Sequence, residues 1–242
     1  MRPNGISSAE VRNSAFALSI DDYLNGTPDI HCRIIDAAAR LFHERGFSAV
    51  TMQDIGRAVG LSKAGLYHHC PSKDRLLGEI VRLAGELLLR QLETVKSSAE
   101  SSGQRVRMFV ITRMEIIARY QDFFAVIWQE RPFINRADFA DIVRMAQVYR
   151  GGVRRLIENG IKDGEIRSEV DPHLLMLAMD GMTGWAYLWY RTKGSESPSE
   201  IGEAFWTYLA QGILNDSHSA RSTARARNRT KSSAPMRART GK

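Results

Sequence analysis

Cysteine is the first scarcity: 242 residues hold only Cys32 and Cys70. Two thiols do not make a disulfide framework, and reduced cysteines in a cytoplasmic protein are the simpler reading. The opening stretch, MRPNGISSAEVRNSAFALSIDDYL, lacks a continuous apolar segment and a small-residue cleavage pattern, so no secretory leader is expected. Long apolar runs are missing as well. The nearest, residues 174–190, carries Asp180 at its centre with Gly181 and Gly184 beside it. A charge at mid-bilayer depth is costly, so a buried helix and no membrane partner are expected there. Also missing are a Gly-rich phosphate loop, metal-ligand spacing and any Ser/His/Asp or Cys/His arrangement, so neither an enzyme nor a cofactor or metal site is expected. His68 and His69 are adjacent, face different ways on a helix and have no third ligand at suitable spacing.

Acidic residues are absent where basic ones are densest. From Ser217 to Lys242 there are eight Arg and Lys and no Asp or Glu; the formal charge of +7 therefore leaves the rest of the chain at −1. This tail, rich in Ser, Thr, Ala and Arg, has too little apolar surface to offset the entropy of ordering and is expected to be disordered. Uncompensated cations of this kind add salt-sensitive affinity for phosphate. Residues 1–28 show no sustained periodicity and read as a flexible arm.

What is present in abundance is helical periodicity. Ile34, Ile35, Ala38, Leu41 and Phe42 recur on one helical face that stops at Gly46. Leu76, Ile80, Leu83 and Leu87 repeat the pattern in a longer helix that Ser72 is placed to cap. Further helices are predicted near 104–120, 122–129, 136–162, 172–193 and 198–214, the fourth of them opened by Asp171-Pro172. No segment alternates as a strand does. The fold class is all-α.

Residues 51–77, TMQDIGRAVGLSKAGLYHHCPSKDRLL, carry the most specific pattern. Thr51 can cap a short helix with Asp54 completing a capping box. Met52, Ile55 and Val59 give that helix one apolar face. Gly60 sits where the chain must turn sharply, Leu61 points inward, and Ser62 caps a second short helix whose Leu66 packs into the core. Two short helices joined by a tight Gly turn make a helix-turn-helix. The second presents Lys63 and His68 to a major groove, Ala64 and Gly65 allow close approach, and Tyr67 and Lys73 suit phosphates. Residues 29–75 hold seven basic and five acidic side chains, a balance that points to placed contacts instead of a broadly basic surface.

Taken together, residues 30–77 resemble the N-terminal domain of the TetR family of bacterial transcription regulators. The resemblance rests on Ala37-Ala38 to Phe42, Gly46-Phe47, Thr51, Ile55, Ala58, Gly60-Leu61-Ser62, Leu66-Tyr67, His69, Ser72-Lys73 and Leu76-Leu77. Cys70 departs from it, standing where the family usually has an aromatic. The resemblance implies a three-helix DNA-binding domain over 29–76, with DNA contacts from Thr51, Lys63, Ala64, Gly65, Tyr67, His68 and Lys73. It further implies a helical ligand-binding and dimerisation domain over 77–216, a pseudo-palindromic double-stranded operator, a homodimer built on the last two long helices, and a small-molecule effector that releases the repressor.

Those two helices carry apolar residues on more than one face: Leu174, Leu175, Leu177, Met182, Trp185, Leu188 and Trp189, then Ile201, Phe205, Trp206, Leu209 and Ile213. Phe124, Trp128, Tyr149, Met179 and Trp185 are the candidate effector contacts. The segment Gly181-Met182-Thr183-Gly184-Trp185 with Trp189-Tyr190 resembles family members that respond to acyl-CoA thioesters, and Arg150, Arg154 and Arg155 are candidates for the coenzyme's phosphates. The competing expectation is an architectural, nonspecific DNA-binding protein driven by the basic tail.

Overall fold

The computed structural model describes residues 29–133, 136–191 and 194–214. The arm at 1–28 and the basic tail at 217–242 lie outside them. Ten α-helices and one turn of 3-10 helix follow one another in these residues, without a strand among them. They are α1 (Ile30–Arg45), α2 (Met52–Val59), α3 (Lys63–His69), α4 (Lys73–Ser97), α5 (Ser102–Arg119), α6 (Gln121–Gln129), the 3-10 turn Arg131–Phe133, α7 (Arg136–Lys162), α8 (Pro172–Gly184), α9 (Ala186–Trp189) and α10 (Pro198–Ile213). The all-α expectation holds.

The chain divides into two compact units, residues 1–90 with 119–149 and residues 91–118 with 150–242, so α4 and α7 each contribute to both. The expected domain limit at 76/77 falls inside α4.

In the first unit, α1 buries Ile34, Ile35, Ala38 and Phe42 completely, the stripe its periodicity predicts. Asp29 caps it by accepting from the Cys32 amide at 2.9 Å, and Gly46 ends it at φ 80°. Ile55 of α2, Leu66 of α3, and Leu76, Ile80 and Leu83 of α4 are equally buried and complete this core. Burying a side chain of this size contributes about 1.5–3 kcal/mol, which makes these positions the main support of the domain. The start of α6 is tied to α1 by His43 Nδ1 and Asp122 Oδ1, 2.7 Å apart.

In the second unit, the last helix, α10, lies directly on α5. A Cβ on Gly202 would come within 2.8 Å of the Ile111 Cα, so only glycine permits that approach. Arg107 pairs with Glu203 across the same two helices, and Trp206 is fully buried. The α7–α8 loop closes the N-terminus of α5: Glu165 Oε2 accepts from the Gly103 amide at 3.1 Å and the Ser101 hydroxyl at 2.7 Å.

One helix differs from its predicted form. The periodicity predicts a single element over 172–193, whereas α8 ends at Gly184, Trp185 has φ −70° and ψ −10°, and the short α9 ends at Trp189, before Tyr190 with its extended ψ of 138°. Gly181 and Gly184 each weaken the helix by roughly 1 kcal/mol relative to alanine, which favours a break at that end. At the other end, Asp171 accepts from the His173 and Leu174 amides, so the predicted start is present.

Candidate DNA interface

The helix-turn-helix is built by local hydrogen bonds that the sequence anticipates. Thr51 and Asp54 form the reciprocal capping box: Thr51 Oγ1 accepts from the Asp54 amide at 3.2 Å, and Asp54 Oδ2 accepts from the Thr51 amide at 3.0 Å. The Thr51 hydroxyl and amide hold the Asp54 carboxyl below the ordinary carboxylate range. Gly60 takes the left-handed turn at φ 77°, ψ 25°, and Leu61 N then donates to Gly56 O at 2.8 Å. The hydroxyl of Ser62 accepts from the Gly65 amide at 3.1 Å and starts α3.

These caps orient α3 so that Leu66 is fully buried while Lys63, Ala64, Tyr67 and His68 are exposed and Gly65 is half-buried. Tyr67, 44% exposed, places its ring on the surface and not in the core. Thr51 is exposed beside them at the entry of α2. The result is one face of cation, hydroxyl, imidazole and small side chains, which is what a base-reading helix presents to a groove. Cys70 stands directly after this helix. It is fully buried, its Sγ lies 3.2 Å from Ser72 O, and burial pushes its thiol up to about 11, so it stays protonated at neutral pH. The ring of His69 packs edge-on against His31 at 5.1 Å.

Lys73 occupies a different environment from the other six predicted DNA contacts. Its ammonium donates to Phe47 O at 2.7 Å and Val50 O at 2.8 Å and lies 4.3 Å above the Phe47 ring. Two of its three N–H groups are thereby spent on the loop that leads into Thr51. The same loop is held from the other side, because Glu130 Oε1, buried at the end of α6, accepts from the Phe47 amide at 3.0 Å. This clasp is not readable from the sequence. Its one visible sign is Glu130, a carboxylate directly after the apolar α6.

Among the candidate effector contacts, Phe124 and Tyr149 of the first unit and Met179 of the second are buried. Trp128, in the first unit, and Trp185, in the second, are each 56% exposed. Arg150, Arg154 and Arg155 are exposed on α7, and Arg154 Nε pairs with Glu158 at 3.1 Å. In the core of the second unit the structure adds polar groups that periodicity did not single out. Gln91 is buried and donates to Phe109 O and Thr112 Oγ1, both at 2.8 Å, while the buried Arg113 guanidinium lies 3.6 Å from Asp180. Asp180, in the otherwise apolar sequence of α8, was the available signal, whereas Arg113 is one of five charged residues on α5 and gave none.

A groove-reading helix on a two-helix turn, carried by a larger helical body, defines a sequence-reading DNA-binding regulator. Comparison with known proteins agrees. The family model described as bacterial regulatory proteins, tetR family, matches residues 34–80, and the model described as tetracyclin repressor-like, C-terminal domain, matches residues 99–213. The HTH-type transcriptional repressor KstR2 of Rhodococcus jostii (strain RHA1) is 27% identical over 195 residues, covering 80% of this chain and 96% of that protein. Among solved structures, the TetR family transcriptional regulator PfmR from Thermus thermophilus aligns with TM-score 0.68 and 29% identity, over 73% of this chain and 96% of that one. AibR in complex with isovaleryl coenzyme A and operator DNA aligns with TM-score 0.65 and 27% identity, over 72% and 95%. The chain belongs to the TetR family of bacterial transcription regulators. It is a DNA-binding regulator with a ligand-binding C-terminal domain.

Proposed function

We propose that this regulator is a cytoplasmic homodimeric repressor that reads a pseudo-palindromic operator through Thr51, Lys63, Ala64, Gly65, Tyr67 and His68, with Lys73 holding the loop and offering its remaining N–H to a phosphate. The DNA-binding domain spans 29–76 and the effector-binding and dimerisation domain 77–216. The exposed polar face of α3 above a fully buried Leu66 carries the DNA reading.

Dimerisation is supported by an unusual apolar surface. Leu174, Leu177, Trp185 and Leu188 are 63%, 47%, 56% and 47% exposed. Leu174, Leu177 and Gly181 stand three and four residues apart on α8, the spacing of a helix seam, and Trp185 and Leu188 add exposed apolar surface directly after it. Tyr208 on α10 is 67% exposed as well. An isologous pairing of these helices covers on each copy what the other leaves open. The dimer then spaces two copies of α3 by one helical turn of DNA, about 34–36 Å.

The effector is an acyl-CoA thioester or similarly apolar molecule. Supporting this are the Gly181–Trp185 segment and the similarity to AibR, whose structure was solved with isovaleryl coenzyme A. Effector binding shifts the dimer away from operator spacing, a coupling typically worth about 1–3 kcal/mol. The test is to incubate the protein with sheared genomic DNA at about 0.15 M salt, where nonspecific phosphate binding is already weak, and to sequence what is retained. A few enriched sites, each with two related halves and each released by an acyl-CoA, are expected. Diffuse retention without a shared site would favour the architectural reading instead.

A further inference from the structure

We infer that the core of the second unit recognises a neutral hydrogen-bond donor on the effector, a hydroxyl on its acyl group, through Gln91 Oε1. The inference rests on the effector reading above and specifies its chemistry.

The orientation of Gln91 is fixed by its neighbours. Its Nε2 donates to the Phe109 carbonyl, which can only accept, and to Thr112 Oγ1, which in turn donates to Met108 O at 2.8 Å. The carboxamide therefore cannot be reversed, and Oε1 is left as a buried acceptor with no hydrogen bond, on a residue only 4% exposed. Asp180 Oδ1 is likewise buried and accepts no hydrogen bond; its nearest countercharge is the Arg113 guanidinium at 3.6 Å, beyond hydrogen-bonding range. In an α-helix the carbonyl of residue 109 points at the amide of residue 113. The Gln91 carboxamide thus lies against the backbone of Arg113, and Asp180 lies at the tip of the same side chain. On the same two helices, α5 and α8, Val106, Phe109, Val110, Met114, Met176 and Met179 are buried and apolar.

A buried acceptor without a donor keeps the whole desolvation penalty of its group, so native cores rarely retain one unless its partner comes from outside the chain. Gln91 Oε1 is an acceptor on a neutral side chain, so the group that completes it must be an uncharged donor. A carboxylate would face oxygen with oxygen there, and a plain alkyl chain would leave the acceptor empty.

The probes are 3-hydroxyoctanoyl-CoA and octanoyl-CoA, titrated calorimetrically into the wild-type full chain and into Gln91→Leu, with Gln91→Met as a second variant should the first fold poorly. Wild type is expected to bind the hydroxyacyl probe about tenfold or more tightly than octanoyl-CoA, since a site built around a hydroxyl discriminates strongly against its absence. Gln91→Leu or Gln91→Met should bring the two within about twofold, mainly by weakening the hydroxyacyl probe. Equal binding of both probes by wild type overturns the donor site while the acyl-CoA reading stands. A preference that survives both substitutions also overturns it. Binding of neither probe by wild type removes the acyl-CoA reading and the donor site with it.

Discussion

Replacing Lys73 with methionine separates two roles that a lysine at the foot of a DNA-binding domain can play. The side chain keeps its length and apolar stem, so the change removes mainly the ammonium. In the folded protein that ammonium serves the carbonyls of Phe47 and Val50, residues 6% and 1% exposed, at 2.7 and 2.8 Å. A hydrogen bond to a charged group contributes about 1.5–3 kcal/mol, and Lys73 is only partly buried, so the pair together are worth about 2–3 kcal/mol. For a chain of this size each kcal/mol moves Tm by roughly 2–4 °C, which gives an expected fall of about 4–12 °C. Lys63→Met is the matched control. Lys63 is exposed on α3, and its loss should change stability by less than about 0.5 kcal/mol. It should instead weaken operator binding at every salt concentration and relax discrimination at the base it reads, by about 1–3 kcal/mol per copy. Thermal unfolding followed by circular dichroism and operator titrations at several salt concentrations read both effects. An unchanged Tm for Lys73→Met would refute the clasp and return Lys73 to a purely DNA-facing role.

Leu177→Glu places a charge in the exposed stripe of α8 and should convert a dimer into a monomer in sedimentation at micromolar concentration, with operator affinity lost and helicity kept; a persisting dimer locates the interface elsewhere. Gly60→Ala forces a side chain into φ 77° with nothing else within 4 Å, so the cost is backbone strain alone, about 1–2 kcal/mol in chemical denaturation, and an unchanged midpoint argues against the left-handed turn. Asp29, Asp54, Asp171 and Glu200 all have carboxyls held below their ordinary range, chiefly by hydrogen bonds at helix starts: the Cys32 amide, the Thr51 hydroxyl, the Leu174 amide and the Ser197 amide respectively. A depressed carboxyl stabilises the fold above its unfolded pKa, near 4, and that contribution disappears as pH falls through the folded value. Tm should therefore be insensitive to these four groups from about pH 5 to 7 and decline below about pH 4; Asp171→Asn should shallow that decline, and an equally steep acid limb rules out its contribution.

The helix-turn-helix was legible in the residues alone. Thr51 with Asp54, Gly60, Ser62 and the apolar positions Ile55, Val59 and Leu66 act over three to seven residues, and hydrogen bonds at that range are specified by residue type and spacing. The helices of the body could be read for the same reason, including the Asp171-Pro172 start, because side-chain burial repeats with the helical period. The remainder emerged only with the packing of the helices. Packing committed Lys73 to two carbonyls more than twenty residues earlier in the chain, and it brought Glu130 onto the Phe47 amide 83 residues away. It also buried Gln91 against α5 and Arg113 beside Asp180. Each of these groups is polar, and a polar side chain carries no periodic signal that separates a solvated surface from a buried partner. Its role depends on which distant backbone or charge the fold brings to it, and that information exists only once the helices have packed.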